Sequence, residues 1–218
     1  MNIPDAVIRR RLANVYFLWG RGKTTIAGFL AEKYGFYVYS TDDSRRWHMA
    51  DAVPEDQPYM CRDFMAEYGV KSFWELPSEV IDEREKHFLR EMTPMVIADL
   101  IALAPQHRII LCEGDLDYET VAPVASHTVH LHYCGNGFDW FNRPDHADSL
   151  RAIEARADLT REEKDRLIQA AYLAVAPKER NLPEWVVRLK VKNIDWDDGT
   201  GVKQTAGEVE SCFGFGEQ

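Results

Sequence analysis

Residues 15–27 decide the fold of this chain and read Val15-Tyr16-Phe17-Leu18-Trp19-Gly20-Arg21-Gly22-Lys23-Thr24-Thr25-Ile26-Ala27. The apolar first half predicts a buried strand, and the residues from Lys23 onward have helical spacing of their apolar positions. Glycines in a turn let backbone N–H groups face an anion, and a helix N-terminus adds partial positive charge. The order strand, glycine turn, lysine-led helix therefore predicts a phosphate-binding site.

The spacing of the glycines departs from the complete motif. The pattern G-x-x-x-x-G-K-[ST] requires a glycine five residues before Gly22, where this chain has Phe17 in the predicted strand. Either the phosphate loop is cropped, or about three residues that belong between Leu18 and Gly22 are missing from this sequence. A Gly-Lys-Thr that occurs by chance at a strand–helix corner is the third alternative.

Length and composition describe one ordinary globular domain, with room for an inserted lid. The chain has 218 residues, of which 45% are apolar and 28% charged. A net charge of -10 argues against nucleic acid as a partner, because such proteins carry a basic face. No signal peptide and no apolar run of about 20 residues is present, so we expect no membrane partner and a cytoplasmic location.

The cysteines predict free thiols. Cys61, Cys112, Cys134 and Cys212 are widely spaced and form no C-x-x-C pair. Neither a disulfide framework nor a cluster of metal ligands emerges from this spacing.

The pattern of apolar runs predicts a three-layer α/β/α sandwich with about five parallel strands. Strand, helix and strand follow one another within the first 40 residues, which is the βαβ arrangement of a parallel sheet. The predicted strands are residues 14–18, 36–40, 108–112, 128–133 and 185–191. Residues 128–133 alternate between apolar and polar enough to predict a strand nearer an edge of the sheet. The predicted helices are residues 23–34, 78–104, 161–175 with a Thr160–Glu163 capping box, and a last helix capped by Thr205 and Glu208.

Acidic residues follow two of these strands. Asp42 and Asp43 come after the second strand and Glu113 ends the third, at the sheet edge where α/β proteins bind ligands. The alternatives are a turn or helix cap for the two aspartates and a solvated strand end for Glu113. Aromatic residues between positions 44 and 77 suit either a substrate-side wall or the core of a small helical subdomain.

These features together resemble a family, the P-loop small-molecule kinases. The likeness is to the shikimate, gluconate and nucleoside-monophosphate kinase branch, and to small bacterial P-loop proteins described as uncharacterised ATPases or kinases. Residues 15–36, Asp42-Asp43, residues 72–77 and residues 109–114 carry it, and it becomes vague after Tyr133. It implies the P-loop NTPase fold, one domain over residues 1–218 with a lid insertion at about residues 136–176, and ATP and Mg²⁺ as cofactors.

The resemblance also implies a role for particular residues. Nucleotide phosphates would be held by Gly20, Arg21, Gly22, Lys23, Thr24 and Thr25, with Arg151 and Arg156 of the lid. Mg²⁺ would be bound by Thr24, Asp42 and Glu113. Catalysis would depend on Lys23, on Asp42 or Asp43 beside the acceptor hydroxyl, with Asp43 slightly preferred, and on Arg143. Each lid arginine could instead form a surface salt bridge.

The sequence thus predicts a kinase that transfers phosphate from ATP to a hydroxyl of a small molecule, its partners being a nucleotide and that acceptor. The alternative is a regulatory or degenerate module that holds a nucleotide without turnover. A truly cropped loop would favour this alternative.

Overall fold

The computed structural model describes residues 4–71, 73–134, 150–175, 184–197 and 200–215. The strands are β1 (Val15–Gly20), β2 (Tyr37–Ser40), β3 (Ile110–Glu113), β4 (His127–Tyr133) and β5 (Lys192–Trp196). The helices are α1 (Asp5–Arg11), α2 (Lys23–Tyr34), α3 (Thr41–Asp51), α4 (Pro58–Cys61), α5 (Phe64–Tyr68), α6 (Ser78–Leu103), α7 (Tyr118–Val121), α8 (residues 150–154), α9 (Arg161–Val175), α10 (Glu184–Arg188) and α11 (Gly201–Phe213). Short 3₁₀ turns cover Phe73–Glu75 and Ala104–Gln106.

The five strands form one parallel sheet with the order β2-β3-β1-β4-β5. Parallel neighbours require crossovers that pass over a face of the sheet, so helices cover both faces. The predicted three-layer α/β/α class is confirmed. The strand that precedes the glycine turn, β1, lies at the centre of the sheet, and the carboxyl ends of its neighbours surround that turn.

Side-chain alternation along β1 divides the interior into two cores. Phe17 and Trp19 pack with Phe88 of α6 on one face, whereas Leu18 packs with α2 and α11 on the other. All three β1 side chains are at most 1% exposed. Successive residues of a strand point to opposite faces, so a continuously apolar β1 is what a sheet covered on both faces requires.

The fifth strand lies further along the chain than predicted. Residues 184–188 form α10, and β5 begins at Lys192. The ring of Trp185 stacks on Tyr118 and meets the edge of Trp19, whereas Val187 is 64% exposed. The apolar run was therefore a helix that buries only part of its surface, and the prediction of a strand at residues 185–191 is wrong.

Of three further predictions about elements, two are confirmed and one is wrong. β4 lies between β1 and the edge strand β5, one strand from the edge of the sheet, as its alternation predicts. The last helix begins at Gly201, and Thr205, instead of capping it, donates its buried hydroxyl to the carbonyl of Gly201 at 3.0 Å. The capping box is confirmed, because the N–H of Thr160 donates to Glu163 at 2.7 Å and the N–H of Glu163 donates to Thr160 Oγ1 at 3.3 Å.

The long helix α6 runs through Pro94 without being divided. The hydroxyl of Thr93, next to that proline, donates to the carbonyl of Leu89 at 2.7 Å. Among the helices that the structure describes, none has both the length and the apolarity needed to cross a membrane.

The chain divides into two compact units. The first contains the sheet and comprises Met1–Arg62, Glu83–Gly135 and Leu182–Gln218. The second comprises Asp63–Asp82 and Asn136–Asn181, and within it α9 packs against the 3₁₀ turn Phe73–Glu75. The predicted lid at residues 136–176 falls in the second unit, and its role as a lid stays a prediction.

Candidate active site

Only Arg21 and Gly22 separate β1 from α2. The N–H of Arg21 donates to the carbonyl of Leu131 at 3.1 Å, and the indole N–H of Trp196 donates to the carbonyl of Arg21 at 3.0 Å. The turn is thus fixed to β4 and β5. The three extra residues that a complete loop would have are not in the 218-residue chain, and the turn closes without them.

Both glycines of this turn are required by its shape. Gly20 and Gly22 have φ angles of +88° and +83°, which L side chains rarely adopt. A Cβ atom at Gly20 would lie 2.0 Å from the carbonyl oxygen of Leu131, and one at Gly22 would lie 2.7 Å from the Trp196 ring. Only glycine at these two positions lets the backbone of the turn lie this close to β4 and β5.

The start of α2 supplies the donors for an anion. Gly22 is the N-cap and has no side chain to cap the helix, and the first helical bond runs from the N–H of Ile26 to the carbonyl of Gly22. The N–H groups of Lys23, Thr24 and Thr25 therefore have no acceptor within the helix. Because the N–H of Arg21 is used in the sheet, the N–H donors that remain available to an anion are at this helix end and not in the turn.

Lys23 lies among carboxylates. Its Nζ is 3.5 Å from Asp115, and its side chain is 11% exposed. Burial by itself lowers the pKa of the ammonium, but Asp115, Asp42 and Glu113 together raise it above its ordinary value. Lys23 is therefore firmly charged at neutral pH.

Thr24 and Glu113 meet at the ends of α2 and β3. The hydroxyl of Thr24 donates to Glu113 Oε2 at 2.9 Å, and Glu113 is 1% exposed. Burial raises the pKa of the Glu113 carboxyl, while hydrogen bonds from Ser40 and Thr24 oppose that rise. Glu113 is thus a buried, hydrogen-bonded carboxylate beside Lys23 and not a solvated strand end.

Asp42 and Asp43 are in the first turn of α3, because β2 ends at Ser40. They follow the second strand as predicted, and Ser40 caps α3 by accepting the N–H of Asp43 at 3.4 Å. Partial desolvation raises the pKa of the Asp42 carboxyl, Lys23 lowers it, and Asp115 raises it further. The structure therefore places Asp42 in the electrostatic neighbourhood of Lys23, and it gives Asp43 no such link to Lys23.

Buried polar contacts hold α3 against the sheet. Tyr39 donates its hydroxyl to Asp99 at 2.6 Å, and His48 of α3 contacts both residues at 3.1 and 3.3 Å. At the other end of the helix, Thr41 packs so close to Gly114 that a Cβ there would lie 1.8 Å from Thr41 Oγ1. These contacts fix where Asp42 stands relative to the end of β3.

Asp115 is the member of the site that the sequence prediction missed. It comes two residues after Glu113 and pairs with Lys23. The signal was present, because a second acid followed Gly114 at the predicted strand end. Gly114, between the two acids, has a φ of +126°, and this backbone direction, which the sequence does not show, precedes the acid that pairs with the lysine.

The remaining predicted residues lie in the turn, in α2, in the second unit or outside the described residues. Thr25 is exposed in the first turn of α2, and burial lowers the pKa of the Arg21 guanidinium while Tyr133 opposes that effect. Arg143 lies outside the described residues. Arg151 and Arg156 belong to the second unit, where Arg156 pairs with Asp158 at 2.7 Å and donates to the carbonyl of Lys71.

The aromatic residues between positions 44 and 77 divide between the two alternatives. Phe64 is 5% exposed, as a core residue is, whereas Trp47 and Tyr68 are 49% and 47% exposed. Exposed rings of this kind suit a binding surface, and the buried one suits the interior of a helical subdomain.

The oxygen donors of the cluster fit Mg²⁺. Thr24 offers a hydroxyl, and Glu113, Asp42 and Asp115 offer carboxylates, which are the ligand types that Mg²⁺ prefers. Three carboxylates with one lysine leave a local excess of negative charge that a divalent cation would neutralise.

Comparisons with known proteins give structural likenesses only, since no protein-family model and no curated protein matches the chain. A dephospho-CoA kinase from Campylobacter jejuni is 13% identical over 93% of this chain and 98% of its own, with a TM-score of 0.44. A shikimate kinase from Bacteroides thetaiotaomicron is 14% identical over 92% and 98%, with a TM-score of 0.38. The enzyme of the same name from Acinetobacter baumannii, in complex with shikimate, is 14% identical over 97% and 98%, with a TM-score of 0.39.

These similar structures are small-molecule kinases. They fall within the group of P-loop small-molecule kinases that the sequence resembles. Because all three TM-scores lie below 0.5, the likenesses do not bear on the activity of this chain.

Proposed function

We propose that this chain is an ATP- and Mg²⁺-dependent phosphotransferase that acts on a hydroxyl group of a small molecule. The observation that carries the proposal is the meeting of Lys23, Thr24, Glu113, Asp42 and Asp115 at an uncapped helix N-terminus beside a glycine turn. Phosphoryl transfer needs positive charge around the phosphate oxygens and a carboxylate beside the nucleophile, and this cluster has both.

Each residue has a part that follows from its surroundings. Lys23, kept charged by three carboxylates, would bind the terminal phosphates together with the N–H groups at the start of α2. Thr24 and Glu113, already joined by a hydrogen bond, would hold Mg²⁺ with Asp42, and Mg²⁺ when bound supplies further positive charge to the phosphates. Asp42, whose carboxyl pKa is raised, would orient the acceptor hydroxyl and accept its proton.

The predicted roles of Arg21, Thr25, Arg151 and Arg156 in binding phosphates are retained as part of the proposal. Arg21 and Thr25 flank Lys23 in the chain. For Arg156 this role would require an exchange of its pairing with Asp158 for a phosphate.

A second candidate function has one observation in its favour. The turn has only two residues, and one of its N–H groups is bonded to Leu131, so fewer donors remain for a triphosphate than in the complete motif. A module that holds a nucleotide without transferring phosphate would need no more than this.

Transfer of labelled phosphate distinguishes the two functions. The chain is incubated with γ-labelled ATP, Mg²⁺ and pools of hydroxylated small molecules, which include sugars, nucleosides and hydroxy acids. Label in an acceptor that depends on the chain and on Mg²⁺ is the expected result. Tight binding of ATP with no label in any pool would favour the passive module.

A further inference from the structure

A second group of ligand-type side chains lies on the β4–β5 pair. His132 and Asp195 are register partners on these parallel strands, and Cys134 follows His132 by two residues. Residues two apart on a strand share a face, so the fold aligns the three side chains although 63 positions separate His132 from Asp195. Sequence spacing could not show this cluster, because it arises from the pairing of β4 with β5.

Two of the distances between the three ligand atoms are close to those of a tetrahedral metal site. His132 Nδ1 is 3.1 Å from Asp195 Oδ1 and 3.6 Å from Cys134 Sγ, and the three atoms all lie within 4.8 Å of one another. Bonds of 2.0–2.3 Å at tetrahedral angles separate the ligand atoms by about 3.3–3.7 Å. A cation could enter with only small adjustments of these side chains.

The hydrogen bonds around His132 and Asp195 favour their use as metal ligands. His132 Nε2 is buried without a hydrogen-bond partner among the described residues, so the polar contacts of the ring are at Nδ1. Asn193 donates its amide to Asp195 Oδ1 at 2.6 Å and is itself held by His130 at 2.9 Å. Metal-binding carboxylates are commonly oriented by such outer hydrogen bonds.

We propose that His132, Cys134 and Asp195 bind a divalent transition metal ion of the zinc class, with water as the fourth ligand. One thiolate, one imidazole and one carboxylate suit Zn²⁺ or Co²⁺ and do not suit Mg²⁺, which prefers oxygen ligands. Asp195 and Cys134 are exposed, so the site is open to an entering ion.

Such an ion would join the carboxyl ends of β4 and β5 beside the glycine turn. Trp196, the residue after Asp195, donates its indole N–H to the carbonyl of Arg21. His132 Nδ1 would bind the cation through its lone pair while Nε2 holds the ring proton, and the thiol proton of Cys134 would pass to solvent, so binding releases a proton.

Titration of the chelator-treated chain with Co²⁺ tests the proposal, because cobalt bound to a thiolate has a sulfur-to-metal charge-transfer absorption. We expect this absorption to saturate at one equivalent and to be abolished by Zn²⁺ but not by excess Mg²⁺. Cys134→Ser should remove the absorption, whereas Cys212→Ser, which changes another exposed cysteine, should retain it.

Two further variants probe the other positions. Asp195→Ala should lower the Co²⁺ affinity at least about 10-fold, and Asn193→Ala should lower it about 10- to 100-fold with the thiolate absorption kept. Circular dichroism without metal checks that each variant is folded. Absence of the absorption in the parent chain, or equal titrations for Cys134→Ser and Cys212→Ser, would overturn the proposal.

Discussion

Asp42 and Asp43 are adjacent in the chain but have different surroundings. Asp42 interacts with Lys23 and Asp115, whereas Asp43 donates its backbone N–H to the capping Ser40. The slight preference for Asp43 assumed that it lies nearer the open edge of the sheet. In a helix adjacent residues are separated by about 100°, and here it is the first of the pair that interacts with the lysine.

We therefore expect Asp42→Asn and Asp43→Asn to differ strongly in their rates of phosphate transfer. Asp42→Asn should lower the rate of phosphate transfer by about 100-fold or more, the range typical of a positioned general base, and should leave the binding of ATP without Mg²⁺ in place. Asp43→Asn should keep a rate within a few-fold of the parent. The measurement is kcat with the labelled acceptor, and a larger loss in Asp43→Asn would reverse the assignment.

The sequence predicted most of the site and missed the parts that depend on backbone direction. Lys23, Thr24 and Glu113 were identified from their positions at a strand end and a helix start, and the structure brings them together. Asp115 was missed because its approach to Lys23 depends on the backbone conformation of Gly114. The sequence could not choose between Asp42 and Asp43, since the directions of their side chains depend on the start of α3.

At the level of elements, the turn between β1 and α2 is fixed by β5. Trp196 both donates to the carbonyl of Arg21 and lies where a side chain at Gly22 would be. Because Gly22 has a positive φ, alanine there should cost about 1–2 kcal/mol from backbone strain alone, and the contact with the Trp196 ring should add to this cost.

A double-mutant cycle measures that contact. Gly22→Ala should lower the free energy of unfolding more than Gly35→Ala, which has φ +71° but no heavy atom within 4 Å of the added Cβ. In a Trp196→Ala background, the cost of Gly22→Ala should fall to that of Gly35→Ala. Urea unfolding provides the free energies. Equal costs of Gly22→Ala in both backgrounds would show that the ring does not restrict the turn.

Boundaries of elements were predicted less well than their order. The five parallel strands and the main helices follow from apolar runs and glycine stops, and Gly35 ends α2 in the left-handed conformation as expected. The fifth strand was predicted at residues 185–191 but lies at Lys192–Trp196. The apolar Trp185, which suggested a strand, instead packs on Trp19 and Tyr118 from a helix. Local sequence patterns carry no information about such partners.

For the whole molecule, His127 gives a testable dependence of stability on pH. His127 stacks on Tyr16 with ring centroids 4.2 Å apart. Desolvation lowers the pKa of His127 below the ordinary 6.5, and a hydrogen bond with the backbone of Ala13 opposes part of that decrease. Between the folded pKa and 6.5, the unfolded chain binds more protons than the folded chain. The contribution of His127 is therefore complete above pH 6.5 and is lost as pH falls through that window.

His127→Phe should keep the ring stacking and remove this sensitivity. We expect the variant to match the parent near pH 8 and to lose less stability than the parent between about pH 7 and pH 5, where histidine titrates. Urea midpoints over this pH range provide the comparison. Parallel losses in the two proteins would show that His127 has no part in the acid sensitivity.

The central claim is that an uncapped helix start with Lys23 binds the phosphates of ATP despite the two-residue turn. Lys33, near the other end of α2, pairs with Glu210 and provides a matched control. Lys23→Met should also lower the unliganded stability at neutral pH, because three carboxylates lose their cation. Thr24→Val therefore serves as a second variant, which removes the hydroxyl and leaves that cation in place.

Isothermal titration calorimetry with ATP and Mg²⁺ tests this claim most directly. The account predicts one site in the parent chain and an equal affinity in Lys33→Met. It predicts an affinity at least about 30-fold weaker in Lys23→Met, the scale of losing a buried charged partner, and a weaker, Mg²⁺-insensitive affinity in Thr24→Val. No binding to the parent, or the same affinity in the parent and Lys23→Met, would contradict it.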